Sequence, residues 1–454
     1  MIPVFTPAEM KAVDEAAPEP VEVLIERAGA ALAREALGLL GGTYGRRVAV
    51  VAGRGNNGAD GRAAARRLER CGVRTVVFDA ESSPETLPRC DLVIDAAYGT
   101  GFRGEYKAPD AGGALLLAAD IPSGVDGLTG AASAGAVQAD VTVTFAALKP
   151  GLLLGDGPLA AGAIEVADIG LDVSGATSWM VEDGDVFGLV PRRPRDVHKY
   201  ASAVLVIAGS PGMAGAARLC SRAAMRAGAG YVRLTTPGAV TAEFPSDEVV
   251  GRPLPATGWA AEALREADRM RAVAVGPGLG RSASTVEEVR QFVATCPLPV
   301  VIDADGLYAL GSVDDAARVL AGREAMTVLT PHEGEFRRLT GDAPAEDRVA
   351  SVRSLAQRLG AVVLLKGSTT VVATPEGRAY FATAGSSRLA TAGTGDVLTG
   401  VIAAFVAMGV DAGAAAALGA HAHGAASAFG RPRGFVASDL LDLVPAWLSG
   451  ETLG

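Results

Sequence analysis

The chain has 454 residues, 49% hydrophobic and 20% charged, and a formal net charge of −10. That length exceeds one ordinary domain and suffices for two or three cores, and the composition excludes a disordered chain. The acidic balance excludes a general nucleic-acid binder, which needs a basic surface, but not an anionic small ligand held by local dipoles and single lysines.

Thr6-Pro7-Ala8-Glu9 opens the first helix with a capping box and a proline at the first helical position. The N-terminal residues lack the basic region and apolar core of a signal peptide. An apolar-periodic run, VEVLIERAGAALAREAL, follows. RRVAVVAG (46–53) is a buried strand entering a glycine loop, and ADGRAAARRLERCG predicts a helix ended by Gly72. VRTVVF, DLVIDAA, ALLLAADI and ADVTVTFA are further short apolar strands. Such strands alternating with helices predict a parallel sheet covered on both faces. The pattern weakens over 170–197, which places a domain boundary near 178. Arg192, Arg193 and Arg195 there are expected to be a solvated segment.

Beyond it, SAVLVIAG, a helix through ARLCSRAAMRAG, GYVRLTTP, RAVAVGPG, PVVIDAD, MTVLTP and AVVLLKG restart the alternation. TTVVATPEGRAYFAT predicts a hairpin around Pro375-Glu376-Gly377. VIAAFVAMGVDAGAAAALGAHAHGAASAF (401–429) is alanine-rich and interrupted by Asp411, His421 and His423, so it predicts two buried helices and no membrane span. The expected fold is α/β with two doubly wound domains, 1–178 and 179–454, which are not repeats of each other. Cys71, Cys90, Cys220 and Cys296 lack CxxC spacing, and the four histidines do not cluster. Reduced core thiols in a cytoplasmic protein, and no transition metal, are expected.

VVAGRGNNGADG (50–61) is a strand, glycine loop and helix junction. Asp60 would repel a pyrophosphate seated there, which argues against an ordinary dinucleotide loop. DAAYGTGFRG (95–104) and ADIPSGVDGLTG (119–130) also follow strands, so Asn56, Asn57, Asp60, Asp95, Asp120 and Ser123 can converge on one sheet edge. Amide, carboxylate and hydroxyl oxygens suit a hard cation, and Asp120 is placed as an acid–base group. Each acid singly could be a turn or cap residue.

Together with TFAALKPGLLLG, these motifs resemble the NAD(P)H-hydrate epimerase domain over roughly residues 1 to 175. The resemblance implies a Rossmann-like fold. It implies that Asn56, Asn57, Gly58, Ala59, Asp60, Gly99, Thr100, Gly101, Phe102, Arg103, Gly104 and Glu105 hold the hydrated nicotinamide nucleotide. It also implies potassium ligation by Asn57, Asp95 and Ser123, with Asp120 as the substrate-contacting acid. Ala59 stands where the family loop usually has a second glycine.

In the second half GSPGMAGAARL (209–219), GPGLG (276–280), DADGLYAL (303–310), TPHEGEF (330–336), KGSTTVV (366–372) and GTGDVLTG (393–400) all fall at strand ends. A glycine loop opening a helix favours anions. Lys366, beside Ser368, Thr369 and Thr370, suits nucleotide phosphate. Asp303 and Asp305 serve as turn groups or bind a cation. His332 is the best site candidate among the histidines, and His421 and His423 are expected to be helix packing.

These motifs resemble the ADP/ATP-dependent NAD(P)H-hydrate dehydratase domain of the ribokinase-like superfamily, over about 180 to 450. The resemblance implies that Lys366, Gly367, Ser368, Thr369, Thr370 and Gly395 hold the nucleotide, and that Ala216, Gly278, His332 and Asp396 face the substrate. The loop amides would stabilise the transferred phosphoryl group while Asp396 takes the proton of the attacking hydroxyl. Tyr200 stands where the family more often has a glycine.

The combined expectation is a cofactor-repair enzyme that interconverts the R and S forms of NADHX and NADPHX and dehydrates the S form, using ADP (or ATP) with Mg2+ and K+. The expected catalytic pair is Asp120 and Asp396, one per domain. A homo-oligomer with no nucleic-acid or membrane partner is expected. The alternative is a ribokinase-like small-molecule kinase fused to a nucleotide-binding module.

Overall fold

The structure, a computed structural model, describes residues 1–102, 104, 106–239, 244 and 248–450. The chain forms two compact units, one over Ile2–Ser178 and one from Trp179 onward together with Met1.

A two-residue strand, β1 (Ile2–Pro3), precedes the helix Pro7–Glu15. Thr6 Oγ1 accepts from the Glu9 N–H while Glu9 returns to the Thr6 N–H, which satisfies two helix-start donors. The helix Val21–Leu40 ends on Gly41 in the left-handed region. The first unit then lays down β2 (Arg47–Ala52), β3 (Arg74–Asp79), β4 (Leu92–Ala96), β5 (Leu115–Ala119), β6 (Val141–Phe145) and β7 (Ala163–Ala167). These form a six-stranded sheet in the order β3-β2-β4-β5-β6-β7, and its neighbours pair parallel. The helices Val21–Leu40 and Asn56–Arg70 cover one face through Leu32, Ala36, Ala64 and Leu68. β4 and β6 are buried at every position, as strands covered on both faces must be.

In the second unit come β8 (Ser178–Met180), β9 (Ala203–Ile207), β10 (Tyr231–Pro237), β11 (Val250–Leu254), β12 (Ala272–Val275) and β13 (Val300–Ile302). β14 (Thr327–Leu329), β15 (Val362–Leu365), β16 (Thr370–Ala373) and β17 (Ala379–Ala382) follow. The sheet order runs β8-β17-β16-β15-β14-β13-β12-β9-β10-β11. Strands from β15 through β11 pair parallel, and β15-β16-β17 turn back antiparallel at the expected hairpin. The alanine-rich stretch forms two buried helices, Thr394–Ala407 and Ala412–Ser427. No described helix is long and apolar enough to cross a membrane.

One expectation needs correction. All four cysteines are free, but Cys71 is exposed and Cys90 half-buried, so only Cys220 and Cys296 are core residues. Cys71 follows the last turn of its helix, where the chain turns through solvent. The weak segment 170–197 holds strand β8 and a helix, Asp183–Leu189, too short for a periodicity to emerge.

Candidate active sites

In the first unit a cleft of about 850 Å³ opens at the carboxyl edge of the sheet. Close backbone approach builds its floor. A Cβ on Gly53 would lie 1.9 Å from the Ala97 carbonyl oxygen, and one on Gly58 1.9 Å from the Gly53 carbonyl oxygen, so both positions require glycine. Ala59 lies inside the helix Asn56–Arg70, donates its N–H to Gly55 O at 3.1 Å, and has no left-handed φ. Its methyl therefore meets no backbone strain.

Asn56, Asn57, Asp60, Gly99, Thr100, Gly101, Phe102 and Asp120 line the cleft. Gly58 and Ala59 form the turn behind the lining, and Gly104 also lies off it. Arg103 and Glu105 lie outside the described residues. Beneath the cleft, Ser123 donates its hydroxyl to Asp95 Oδ1 at 2.7 Å and its N–H to Asp95 Oδ2 at 2.8 Å. Burial raises the Asp95 carboxyl to about 6 against these bonds. Asn57 has both side-chain amide atoms buried without a partner. A buried, unpartnered amide oxygen, a carboxylate and a hydroxyl are the hard oxygen donors that a potassium ion takes.

Asp120 follows β5 with φ +66°, an unusual backbone for a non-glycine residue. Its Oδ1 accepts from the Lys149 ammonium and from the Thr144 hydroxyl at 3.2 Å. Lys149 is 1% exposed and also donates to Thr144 Oγ1 at 2.8 Å and Phe145 O at 3.1 Å. Sequence reasoning missed Lys149 as a site residue. The signal was a lone cation inside the apolar TFAALKPGLLLG.

In the second unit Asp303, 2% exposed at the end of β13, is a hub. Lys366 Nζ donates to its Oδ1 at 2.6 Å, and Thr399 Oγ1 donates to its Oδ2 at 2.8 Å. A Cβ on Gly395 would lie 3.4 Å from Lys366 Nζ and 3.7 Å from Asp303 Oδ2. Gly393, at φ +91°, caps the helix Thr394–Ala407, and Asp396 stands in its first turn. Burial and the neighbouring Asp303 raise the Asp396 carboxyl to about 7, with Lys366 opposing. The loops at 209–216 and 276–280 meet here: Ser210 donates to Gly278 O at 3.0 Å, and a Cβ on Gly278 would lie 3.2 Å from Ala216 Cβ.

The other candidates are spread more widely. Arg348 donates to Lys366 O at 3.0 Å, and its guanidinium would lie 2.8 Å from a Cβ on Gly367. Ser368 is exposed, Thr369 buried, and Thr370 begins β16. His332 caps the helix Glu333–Thr340, its Nδ1 accepting from Gly334 N at 2.9 Å, which leaves a 60% exposed ring. That capping role was not foreseen. His421 pairs with Asp183 at 2.7 Å. Buried His423, depressed to about 4 by burial, bonds the Thr394 backbone at the glycine loop and leaves Nε2 without a partner. Among the described residues no cluster of histidine, cysteine and carboxylate ligands suits a transition metal.

Two doubly wound units, each with a raised carboxyl and an acid–lysine pair at its sheet edge, define a two-site α/β enzyme of nucleotide-handling type. Residues 204–443 match the NAD(P)H-hydrate dehydratase family, and residues 21–87 and 69–151 match the YjeF-related protein N-terminus family. The bifunctional NAD(P)H-hydrate repair enzyme of Salinibacter ruber is 37% identical, the match covering 98% of this chain and 95% of the relative. That of Mycobacterium tuberculosis is 40% identical over 88% of this chain and 87% of its own. The ADP/ATP-dependent NAD(P)H-hydrate dehydratase of Bacillus subtilis, co-crystallised with ATP and Mg2+, superposes with a TM-score of 0.51 at 29% identity, covering 59% of this chain and 97% of that one. A ribokinase-like superfamily protein of Enterococcus faecalis, 19% identical with a TM-score of 0.52 over 61% of this chain and 98% of its own, shares the fold. The chain belongs to the family of bifunctional NAD(P)H-hydrate repair enzymes.

Proposed function

We propose that residues 1–178 epimerise R and S NAD(P)H hydrates and that residues 179–454 dehydrate the S form to NAD(P)H, converting ADP to AMP and phosphate. The observation that carries this is the presence on one chain of two separate acid–lysine sites, Asp120 with Lys149 and Asp303 with Lys366 beside Asp396. Neither reaction alone would recover both epimers.

In the first unit Asp120 moves the proton, and Lys149 fixes its carboxylate. Asn57, Asp95 and Ser123 would hold potassium, which would supply fixed positive charge to the site. The cleft from Asn56 to Phe102 takes the hydrated nucleotide. In the second unit Lys366 and the amides around Gly395 face the nucleotide phosphates, and Asp396 accepts the proton of the ring C6 hydroxyl as that oxygen is phosphorylated. Loss of phosphate then restores the ring double bond. Phosphate leaves far more readily than hydroxide, which explains the nucleotide. Magnesium would accompany it and offset phosphate charge; the Bacillus relative's ATP and Mg2+ support this. Ala216, Gly278 and His332 contribute the substrate side. The four free thiols support a cytoplasmic location, and the working form is read as a homo-oligomer.

The test mixes the full chain with both NADHX epimers, Mg2+, K+ and either ADP or ATP, and follows NADH absorbance. Full recovery with AMP and phosphate formed is expected with ADP. Recovery that stops once the S form is consumed would remove the epimerase assignment. No recovery with either nucleotide would remove both.

A further inference from the structure

Asp14, Asp60 and Asp120 all line the first unit's cleft, together with the buried ammonium of Lys149. Lys149 is committed to Asp120, Thr144 and Phe145. Nothing comparable faces Asp60, which sits one turn into the helix Asn56–Arg70 and is 7% exposed; the cleft's other cations, Lys11 and Arg54, are exposed and paired with Glu15 at 3.7 Å and Glu81 at 2.6 Å. The charged groups acting on it are Asp120, from the end of β5, and Asp14, from the helix Pro7–Glu15, and both are acids. Arg62, two residues further on, is spent on Gly53 O at 2.7 Å. Neighbouring carboxylates in one cleft do not all ionise together, so the acid without a cation keeps its proton. Burial and these two neighbours raise Asp60 to about 8, and Asp14 is raised as well.

We propose that Asp60 is the proton donor of the epimerisation, working as the second carboxyl of a pair with Asp120. This rests on the epimerase reading above. C6 of the hydrate is a hemiaminal carbon, bonded to a hydroxyl and to the ring nitrogen. Asp60 gives its proton to the hydroxyl oxygen as the C6–O bond breaks and water leaves. The nitrogen lone pair forms the C6–N double bond of an iminium ion. Water then adds to the opposite face of C6, those electrons return to nitrogen, and Asp120 takes the proton of the adding water. One proton leaves Asp60 and one arrives on Asp120, so the sum is an isomerisation without oxidant or co-reactant. Proton exchange with solvent resets the pair.

The experiment follows consumption of each NADHX epimer by the full chain with ADP, Mg2+ and K+ between pH 6 and 9. Consumption of the S form by the second unit is the internal reference in each sample. At each pH where consumption of the S form outpaces that of the R form, loss of the R form reads epimerisation. In the unsubstituted protein that rate should fall on the alkaline side, with a midpoint near 8. Asp60→Asn should lower it by about 10²- to 10⁴-fold and abolish the alkaline fall. Asp60→Glu should restore part of the rate together with a pH-dependent fall, which a merely structural role would not produce. Asp60→Asn turning over the R form at the unsubstituted rate, with the same pH profile, would overturn the proposal. If the unsubstituted chain itself leaves the R form at its spontaneous rate, the epimerase reading fails and the proposal falls with it.

Discussion

Replacing Asp396 by Asn should separate what the second unit loses in catalysis from what it gains in stability. Burial and Asp303 raise this carboxyl from 3.8 to about 7. The native group therefore binds its proton more tightly than the unfolded chain does. The stability it confers is complete below about pH 4 and is lost as pH rises through about 7. Three pKa units at about 1.36 kcal/mol each amount to about 4 kcal/mol of ionisation cost in the native state above that pH. Asn has the same shape and never ionises. The variant should thus be more stable than the unsubstituted chain by about 2–4 kcal/mol at pH 8.5 and by less than about half as much at pH 5. All three tryptophans, Trp179, Trp259 and Trp447, belong to the second unit, so fluorescence during guanidinium unfolding reads that unit alone. The same substitution should reduce dehydration of the S form by about 10²- to 10⁴-fold. An advantage equal at both pH values would refute the electrostatic argument, and dehydration at the unsubstituted rate would refute the assignment of the base.

The unsubstituted dehydration rate should itself rise with pH through about 7, because the proposed base must be ionised to work, and a pH–rate profile under saturating nucleotide checks this. Gly58→Ala drives a methyl to 1.9 Å from backbone oxygen that no rotamer relieves; R-form consumption should vanish while S-form consumption persists in the same sample. Lys149→Met leaves the Asp120 carboxylate without its cation, and should destabilise the first unit by about 3 kcal/mol in calorimetry and remove epimerisation. Thr399→Val deletes one donor to buried Asp303 and should cost the second unit about 1–2 kcal/mol in guanidinium unfolding, with a lower kcat.

The strands most legible in the sequence were those buried on both faces, such as β4 and β9, because a short continuous apolar run bounded by glycine or turn residues fits a fully covered strand and little else. β7 and β11 escaped because they alternate between exposed and half-buried positions, with only the last residue buried, and carry glutamate, arginine and proline. At the sites, motif spacing pointed to loops that the structure brings to the sheet edges. It could not show which side chains share a proton. Lys149 lies 29 positions from its partner Asp120, and Lys366 63 from Asp303, so only the sheet edge brings each pair together. The capping role of His332 was not legible either, because the sequence does not reveal that the next helix takes its Nδ1 as a cap.

The two units use one electrostatic device although they are not repeats. In each, one carboxylate at a strand end is tied to a lysine, and a second acid nearby has no cation of its own. Asp120 with Lys149 stands beside Asp60, raised to about 8; Asp303 with Lys366 stands beside Asp396, raised to about 7. The tied acid keeps its lysine in place and adds negative charge, and that charge helps hold the proton on its neighbour. The free acid is thereby brought to a pKa where it both gives and takes a proton near neutrality, which an ordinary aspartate at about 4 does poorly. A parallel sheet favours this arrangement, since strand ends and helix starts from distant sequence meet along one edge, where acids can be half-closed from water while a cleft stays open above them. Asp303→Asn tests the coupling directly: with the neighbouring charge gone, the rise of the dehydration rate should move to lower pH. A rise that stays near pH 7 would mean that burial alone sets Asp396, and that the lysine-tied acid serves only to anchor Lys366.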